Sequence, residues 1–504
     1  MDSSVIPAPV LSVLDALKYA GYQGQIVGGC ARDLFLGREP KDWDITTDAK
    51  PEETLSVFPD SFYENDFGTV GVKVEPFHKE GRPDREHDVI EVTTYRTESG
   101  YSDMRRPDQV EFVLSLSEDL SRRDFTMNAI ALQVNDPSPS HTDRTIDVID
   151  PFHGQEDINR KIIRTVGNAE QRFGEDALRM MRAIRFSSEL GSPATEESGW
   201  TIEEPTLAAI GKHSELIAHV SQERIRDELS RIILSERPAE GVELLRSVGL
   251  LRYIIPELEE GVGIGQNLHH ALTVYEHNLG ALRYCPSRVL EVRLAALLHD
   301  VGKPRSKRGD GYKSTFYNHD HIGARMTKVI LQRLRYPVAV IDRVTLLVDN
   351  HLFYYNVGEV TEASVRRLIR RVGLGNMRDL MSVRIADRLG SGVPKAKPYK
   401  LRHLEYMIEK VSNDPVSVKM LKINGTDLMN DLKMTPGPKI GAVLDVLLSE
   451  VIEDPSRNIR ESLLVRAKEL FEEDLSSLRD RAKDVIEEKR EQDDKGIKNR
   501  HKVA

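Results

Sequence analysis

The sequence predicts an α+β domain built on a mixed sheet, followed by a long body made only of helices. Up to about residue 148, short runs of β-branched and apolar residues alternate with turns. From Arg172 onward, apolar residues recur at three- and four-residue spacing, which is the period of an amphipathic helix. The change of pattern falls after Asp150-Pro151. The predicted strands are Gln25–Val27, Trp43–Thr46, Val70–Val74, Val89–Thr94 and Val110–Leu114.

Length, composition and charge limit the number of domains and the classes of partner that the chain can have. A chain of 504 residues, of which 39% are hydrophobic, is too long for a single core and suggests three or four domains. The net charge of -10 argues against general affinity for nucleic acid, but it leaves room for a local basic groove. The segment Glu469–Asp494 is rich in charges of both signs, which predicts a solvated helix that frays into a disordered tail.

Cysteine content and hydropathy predict a cytoplasmic protein. Cys30 and Cys285 are too few for a disulfide framework, which indicates a reducing compartment. Met1–Val10 lacks the basic residues and the apolar run of a signal peptide. The most apolar stretches, such as Arg293–Leu298 and Ala442–Leu448, are too short to span a bilayer, so no membrane partner is expected.

The segment from Gln25 to Thr47 carries the first cluster of chemistry-bearing residues. Gly28-Gly29 follows an apolar strand and precedes a helix-like segment. Glycine lets the backbone approach a phosphate closely, and the start of a helix offers free N–H groups to an anion. If Asp42 and Asp44 lie on one strand, their side chains share a face. Two such carboxylates repel each other, but they suit a pair of Mg²⁺ ions.

Glu91 is the candidate for a third carboxylate. We expect Ile90 and Val92 to face the core of the predicted strand while Glu91 faces away. An ordinary exposed glutamate gives the same pattern, and only the presence of Asp42 and Asp44 favours a role in metal binding. The predicted catalytic residues are therefore Asp42, Asp44 and Glu91.

In combination, these motifs resemble a known family. The residues Gly28-Gly29, Arg32-Asp33, Asp42-x-Asp44 and Glu91-Val92-Thr93-Thr94 are similar to the head of class II CCA-adding tRNA nucleotidyltransferases and bacterial poly(A) polymerases. The resemblance extends to about Leu470. It implies a polymerase-beta-like nucleotidyltransferase head over residues 1–150 and a neck over 151–245. It further implies a helical body over 246–395 and a tail over 396–475, and leaves 476–504 as a charged, disordered segment.

An arginine-rich segment precedes the next helical stretch. Arg122 and Arg123 present planar guanidinium groups that suit triphosphate oxygens, as does Arg32 near the glycine pair. Asp124 and Asn128 are four residues apart and can share a helical face that reaches a ribose. A charged helix start with local salt bridges is the alternative, and the resemblance favours nucleotide binding.

The stretch Glu175-Asp176-Ala177-Leu178-Arg179 predicts a helix whose polar face selects a base. A carboxylate at Asp176 accepts from the exocyclic amino group of C or A, and the guanidinium of Arg179 donates to the ring nitrogen. In the resembling family this pair is the nucleotide template, with Arg182 on the same face. Glu175 is expected to orient Arg179. The alternative is a solvated helix face with i,i+3 or i,i+4 ion pairs.

A histidine–aspartate pattern in the helical region resembles the HD phosphohydrolase superfamily. Imidazole and carboxylate ligands suit Ni, Mn, Fe or Zn. The resemblance implies four residues that bind the metal directly, with His319, His321 and His351 available for a second metal or for phosphate; the four are His277, His299, Asp300 and Asp387. Metal binding is expected, and hydrolase activity is left open.

Two further segments predict contacts with RNA. Tyr95–Pro107 resembles the family's flexible loop and ends with Arg105 and Arg106. Gly437 and Lys439 resemble the tail's tRNA-binding turn, where backbone amides can meet phosphates. Ordinary turns between helices are the alternative for Gly437 and Lys439.

The sequence thus predicts an enzyme that adds C, C and A to the 3′ end of tRNA from CTP and ATP. The close alternatives are an A-adding tRNA nucleotidyltransferase and a poly(A) polymerase. Two other classes are an HD metal-dependent phosphohydrolase with an RNA-binding head and a non-catalytic RNA-binding protein. The oligomeric state is open between monomer and dimer.

Overall fold

The computed structural model describes residues 3–65, 67–77, 87–100, 109–137, 144–191, 199–266, 272–309, 313–353, 355–392, 399–412 and 418–503. The chain divides into two compact units. The first comprises Met1–Asp349 and Ala386–Gly392, and the second comprises Asn350–Ile385 and Val393–Ala504. The finer division into head, neck, body and tail stays a prediction.

Strands of the described residues are confined to the first unit. They are β1 (Gly24–Val27), β2 (Asp44–Thr47), β3 (Ser61–Asn65), β4 (Thr69–Val74), β5 (Asp88–Thr94), β6 (Arg96–Ser99), β7 (Gln109–Phe112), β8 (Ala131–Asn135), β9 (Thr145–Ile149), β10 (Ile162–Ile163) and β11 (Thr201–Ile202).

Seven of these strands form one mixed sheet in the order β3-β4-β5-β2-β1-β8-β9. Strands β2 and β5 are parallel, whereas the other neighbours in this sheet are antiparallel. The predicted mixed sheet is therefore confirmed. Strands β6 and β7 form a separate antiparallel hairpin, so the run predicted at Val110–Leu114 lies outside the main sheet.

Helices make up most of the remaining chain. Up to residue 260 they are α1 (Ala8–Tyr19), α2 (Gly29–Phe35), α3 (Pro51–Val57), α4 (Leu116–Ser121), α5 (Gly154–Arg160), α6 (Ala169–Glu175), α7 (Leu178–Glu189), α8 (Glu204–His213), α9 (Gln222–Leu234), α10 (Pro238–Ser247), α11 (Leu251–Ile254) and α12 (Pro256–Glu259). Beyond it they are α13 (Val274–Arg283), α14 (Leu290–Leu298), α15 (Lys303–Ser306), α16 (His319–Arg333), α17 (Val338–Asp349), α18 (Glu362–Val372), α19 (Leu374–Gly390), α20 (Tyr399–Ser412), α21 (Gly425–Asp431), α22 (Pro438–Glu453), α23 (Arg460–Phe471) and α24 (Leu475–His501).

The charged C-terminal segment is helical, so the predicted disorder is wrong. Asp474 caps α24 by accepting a hydrogen bond from the Ser476 N–H. The few apolar residues of this segment are spaced so that Leu478 and Ile486 pack into one core of the second unit. Ile497 packs into another core of the same unit. Burial of these side chains stabilises a helix whose charged surface alone indicates disorder.

Among the described residues, no helix combines the length and the apolar character that crossing a bilayer requires.

Candidate active site

Asp44 and Glu91 are paired across the two parallel strands of the sheet, β2 and β5. Ile90 and Val92 are buried, with 0% and 1% exposure, so Glu91 faces away from the core as predicted. Asp42 lies in the bend before β2 and not on the strand, so the strand face that we expected Asp42 and Asp44 to share is absent. Trp43 between the two aspartates is buried, and both carboxylates lie close enough to Glu91 to affect its ionisation.

The ionisation of these carboxylates shows how strongly they repel one another. Partial burial and the charges of Asp44, Glu64 and Asp42 raise the pKa of Glu91 to about 7. Burial also raises the pKa of Asp44, although the nearby Arg123 opposes the shift. Glu64 on β3 is a fourth carboxylate that sequence reasoning missed, because nothing in its own strand marks it. A cluster of oxygen donors with excess negative charge fits divalent cations.

Gly28 occupies a position that a larger residue would disturb. Its φ of +80° lies in the left-handed region, where a side chain is strained. An added Cβ would lie 3.1 Å from Arg123 Nη1 and 3.1 Å from Asp44 Oδ2. Gly28 therefore lets the cation and the carboxylate approach each other. Gly29 begins α2, whose Arg32 is buried.

The two neighbouring arginines have different surroundings. Arg122 donates to Asp119 Oδ1 and to Glu98 Oε1, at 2.7 and 2.9 Å, and Glu98 belongs to the β6–β7 hairpin. Arg123 lies beside Asp44 and 3.5 Å from Asp119. The geometry therefore favours Arg123, and not Arg122, for triphosphate binding. Asp119, fully buried, was missed although it precedes the arginines by three and four residues.

Asp124 and Asn128 are joined in a continuous hydrogen-bonded network, but the helical face predicted for them is wrong, because Asp124 lies in a bend before the short 3₁₀ turn Thr126–Asn128. Arg32 donates to Asn128 Oδ1 at 2.8 Å, and Asn128 Nδ2 donates to Asp124 Oδ1 at 3.0 Å. Arg182 on α7 donates to Asp124 Oδ2 at 2.8 Å. Burial opposes ionisation of Asp124, but Arg182 and Asn128 outweigh it and hold its pKa well below the usual range. The network joins α2 to α7.

The predicted helix through Glu175 and Arg179 is interrupted, which corrects the helical spacing assumed for Asp176. Helix α6 ends at Glu175 and α7 begins at Leu178. Asp176 is extended between them, and its Oδ1 accepts from the Leu178 N–H at 3.1 Å. Aspartate side chains compete in this way for backbone donors and favour helix boundaries.

Arg179 is positioned by three acceptors. Its Nη1 donates to Glu175 Oε2 at 2.6 Å, which is the predicted contact, and to the Arg172 carbonyl at 3.2 Å. Its Nη2 donates to the carbonyl of Arg122 at 3.2 Å. The residue after Arg122 is the arginine beside Asp44, so the base-selecting candidate Arg179 is linked to the carboxylate cluster through one peptide unit.

Arg224 on α9 was missed as a site residue, because its segment resembles a structural motif. Its Nη1 and Nη2 donate to Asp176 Oδ1 and Oδ2, at 3.2 and 2.8 Å. The signal in the sequence was limited to an arginine near a helix start, which is common in proteins.

A second cluster brings together the four residues predicted as an HD metal site. His277 Nε2 lies 3.0 Å from His299 Nε2, 3.2 Å from Asp300 Oδ2 and 3.3 Å from Asp387 Oδ1. His299 Nε2 lies 3.3 Å from Asp300 and 3.7 Å from Asp387. Burial opposes protonation of His299, but Asp300 and Asp387 raise its pKa to about 10. Nitrogen and oxygen donors converging on one point fit a divalent transition metal.

The other histidines are placed differently. His319 Nε2 lies 3.3 Å from Asp300 Oδ1, at the edge of the cluster. His321 is exposed and pairs with Asp349 at 2.6 Å. His351 belongs to the second compact unit.

The residues predicted to contact RNA are divided between described and undescribed parts of the chain. Lys439 lies at the start of α22, with its ammonium 4.9 Å from the centre of the Phe471 ring. Gly437 precedes this helix in an extended conformation, with open space around its Cα. Arg105 and Arg106 lie outside the described residues.

Comparisons with known proteins agree with this arrangement. The family model for the poly A polymerase head domain matches residues 25–164, and the model for tRNA nucleotidyltransferase domain 2 matches 320–467. Residues 199–261 match a model described as "Probable RNA and SrmB-binding site of polymerase A".

Relatives match over nearly the whole chain. The CCA-adding enzyme of Geobacillus thermodenitrificans is 32% identical over 454 residues, which cover 90% of this chain and 94% of the relative. The CCA-adding enzyme of Lactiplantibacillus plantarum is 32% identical over 457 residues, covering 90% and 93%. The solved structure of the Bacillus stearothermophilus CCA-adding enzyme in complex with CTP has a TM-score of 0.56 and 29% identity, covering 92% of this chain and 96% of that one.

Fold and site together define a nucleotidyltransferase whose catalytic sheet is followed by helical domains. The chain belongs to the CCA-adding enzyme family.

Proposed function

We propose that this protein adds C, C and A to the 3′ end of tRNA, using CTP and ATP and releasing pyrophosphate without a nucleic-acid template. The observation that carries the proposal is the continuity of the site. Arg179, the candidate base reader, donates to the carbonyl of Arg122, and the next residue, Arg123, lies beside Asp44. A nucleotide with its base at Arg179 can therefore place its phosphates at Arg123 and the carboxylates.

Asp42, Asp44 and Glu91 are the proposed magnesium ligands, supported by their excess negative charge. Magnesium held by these carboxylates would supply charge stabilisation for the attacking 3′-hydroxyl and for the leaving pyrophosphate. Arg123 neutralises charge on the triphosphate. Gly28 leaves room for these groups, and the protein contributes chiefly by positioning the reactants.

Base selection is proposed to rest on Asp176 and Arg179. C and A present an amino donor beside a ring acceptor, which complements a carboxylate beside a guanidinium. U and G present the reverse pattern and leave buried groups unpaired, at a cost of roughly 1–3 kcal/mol per group.

One incubation separates the close alternatives. The protein is given tRNA lacking its 3′ end, Mg²⁺ and labelled CTP or ATP. Incorporation of two C and one A supports the proposal. Incorporation of A alone, and only onto tRNA ending in CC, indicates an A-adding enzyme, whereas long A tails indicate a poly(A) polymerase.

A second activity is proposed for the cluster of His277, His299, Asp300 and Asp387. The burial and convergence of these four residues favour a bound transition metal such as Ni, Mn, Fe or Zn. A metal held by these residues would supply the Lewis acidity needed for hydrolysis of phosphate esters. A 2′,3′-cyclic nucleotide is the substrate class we propose.

The remaining parts of the proposal concern organisation and location. Residues 1–150, 151–245, 246–395 and 396–475 are proposed as head, neck, body and tail, with Gly437 and Lys439 in the RNA-binding tail. Cys30 and Cys285 are buried and form no disulfide, which supports the proposed cytoplasmic location.

A further inference from the structure

We propose that Arg224 determines base selectivity by fixing the carboxylate of Asp176. The inference rests on the proposed function, in which Asp176 reads the amino group of the incoming base. Arg224 does not itself touch the nucleotide in this account. It is a positioning residue that acts through Asp176.

The contact between the two side chains is bidentate. Arg224 Nη1 and Nη2 donate to the two carboxylate oxygens of Asp176 at 3.2 and 2.8 Å. Both side chains are largely shielded, with 23% of Arg224 and 15% of Asp176 exposed. A planar guanidinium that meets both oxygens fixes the plane of the carboxylate as well as its position. A lysine supplies charge at one point and does not fix that plane.

The Asp176 carboxylate has one hydrogen-bond acceptor position left for a ligand. An ionised carboxylate has about four lone-pair positions. Arg224 occupies one on each oxygen, and the Leu178 N–H occupies a second position on Oδ1. The free position is on Oδ2. Asp176 can therefore accept from a single additional donor, such as the amino group of C or A. The keto oxygen of U or G would meet this lone pair without a hydrogen atom between them.

Without Arg224, this constraint is lost. The χ2 torsion of aspartate has a broad energy profile, so an untethered carboxylate rotates readily. Rotation lets Asp176 turn its lone pairs away from a keto oxygen. The contact with C then weakens while the rejection of U is relieved.

The helix that carries Arg224 is itself anchored to the same region. Glu228, one turn further along α9, is buried and lies 2.8 Å from Arg185 Nε on α7. Arg224 and Glu228 thus present one face of α9 to the segment that contains Asp176. This double attachment keeps the guanidinium in place when the base binds.

Arg226 provides a matched control on the same helix. It donates to Asp227 at 2.8 Å and to the Arg335 carbonyl at 2.7 Å, but not to Asp176. Arg226→Met removes one arginine and one carboxylate contact from α9, as Arg224→Met does, and leaves the Asp176 carboxylate with its partners.

The test measures selectivity with the full-length protein. Labelled CMP and UMP are transferred to tRNA lacking its 3′ end, and kcat/KM is determined for CTP and for UTP. Arg224→Met is expected to lower the CTP-to-UTP ratio by about tenfold or more, the scale of one mismatched hydrogen-bonding group. Arg224→Lys lowers it less, because charge remains without the bidentate geometry. Arg226→Met leaves it unchanged, and a merely structural role of Arg224 would slow both nucleotides alike.

A double variant shows whether Arg224 acts through Asp176. The ratio in Asp176→Ala/Arg224→Met is expected to equal that in Asp176→Ala, since the group positioned by Arg224 is already gone. Equal ratios in wild type and Arg224→Met, with a lowered ratio in Asp176→Ala, overturn this inference alone. An unchanged ratio in Asp176→Ala overturns the proposed base template as well. If Arg224→Met does not fold, Arg224→Lys carries the test, and an unchanged ratio there overturns the inference.

Discussion

Asp44 and Glu91 are direct neighbours across the parallel pair of strands β2 and β5, and their carboxylates face the same side of the sheet as a consequence of this register. Arg123, which lies with Asp44 beside Gly28, is a cation whose charge opposes the rise in the pKa of Asp44. The arrangement is suited to hold cations and to bind a triphosphate beside them.

The affinity for Mg²⁺ is expected to depend on pH through Glu91. Its pKa is raised from 4.5 to about 7, so below that pH a proton must leave before the metal binds. Apparent Mg²⁺ affinity should rise by up to about tenfold per pH unit below pH 7 and level off above it. Titration calorimetry between pH 5.5 and about 8 measures this dependence.

Folding stability should depend on pH in the opposite direction to Mg²⁺ affinity. When a carboxyl group has a raised pKa in the folded state, its ionisation makes the folded protein less stable. Without Mg²⁺, the free energy of unfolding should therefore fall as pH rises from about 4.5 to about 7. Glu91→Gln should flatten both dependences. A pH-independent Mg²⁺ affinity in the unsubstituted protein would contradict the assignment of Glu91.

Gly28→Ala tests the close approach of Arg123 and Asp44. The new methyl group would lie 3.1 Å from both side chains, so Arg123 and Asp44 must give way by a few tenths of an ångström. Nucleotide transfer should fall by about tenfold, less than the roughly 100-fold cost of misplacing a reacting group by about an ångström. Steady-state kinetics and chemical denaturation measure the two effects.

Gly21→Ala is the control for backbone strain. Gly21 has a φ of +90°, with nothing within 4 Å of an added Cβ. Both substitutions should cost roughly 1–2 kcal/mol of stability, since both place alanine in the left-handed region. Only Gly28→Ala should lose activity, and an equal loss in both variants would show that strain alone is responsible.

Asp124→Asn tests the network that joins α2 to α7. The substitution removes the carboxylate that lies 2.7 Å from Arg182, leaving Glu228 at 3.9 Å, and should lower the free energy of unfolding by about 2 kcal/mol at neutral pH. Because the pKa of Asp124 is lowered in the folded state, its contribution is present above about pH 4 and disappears as pH falls further.

Asp136→Asn removes an exposed ion pair with Lys18 and should leave stability unchanged. Denaturant titrations of the three proteins at several pH values provide the comparison. If Asp124→Asn were as stable as the unsubstituted protein, the network would not contribute to the fold.

Asp300→Asn tests the proposed metal site. The substitution replaces a buried carboxylate, which lies within 3.3 Å of both His277 and His299, with a neutral amide that is a weaker metal ligand. The variant should no longer bind Ni²⁺ or Mn²⁺. Calorimetry, and metal analysis after dialysis, measure this binding. Hydrolysis of a 2′,3′-cyclic nucleotide should be lost with it.

Asp349→Asn is the corresponding control, because Asp349 pairs with the exposed His321. It should retain both metal binding and hydrolysis. Undiminished metal binding in Asp300→Asn would place the metal elsewhere.

Sequence patterns predicted the features that depend on local periodicity. The alternation around Glu91 and the two aspartates flanking Trp43 are visible in a few residues, and the structure places these carboxylates together. The Glu175–Arg179 contact follows from a spacing of four residues and is present although α6 ends between them. Local patterns carry such information because neighbours in sequence are neighbours in space.

Contacts between distant segments could not be predicted in this way. Arg224 and Asp176 are separated by 48 positions, and Glu64 joins the carboxylates only through the strand order of the sheet. The segment of α24 was predicted as disordered because Leu478, Ile486 and Ile497, which are buried in its described part, stand among many charges and leave little trace in composition. In each case the decisive energy comes from tertiary packing.

The most direct measurement of the central claim compares Mg²⁺-dependent transfer of CMP to tRNA lacking its 3′ end by the unsubstituted protein, Asp44→Asn and Asp60→Asn. Asp60 is an aspartate of the same domain with 82% of its side chain exposed. We expect full transfer by the unsubstituted protein and by Asp60→Asn, and a loss of about 1,000-fold or more in Asp44→Asn. Full transfer by Asp44→Asn would contradict the account.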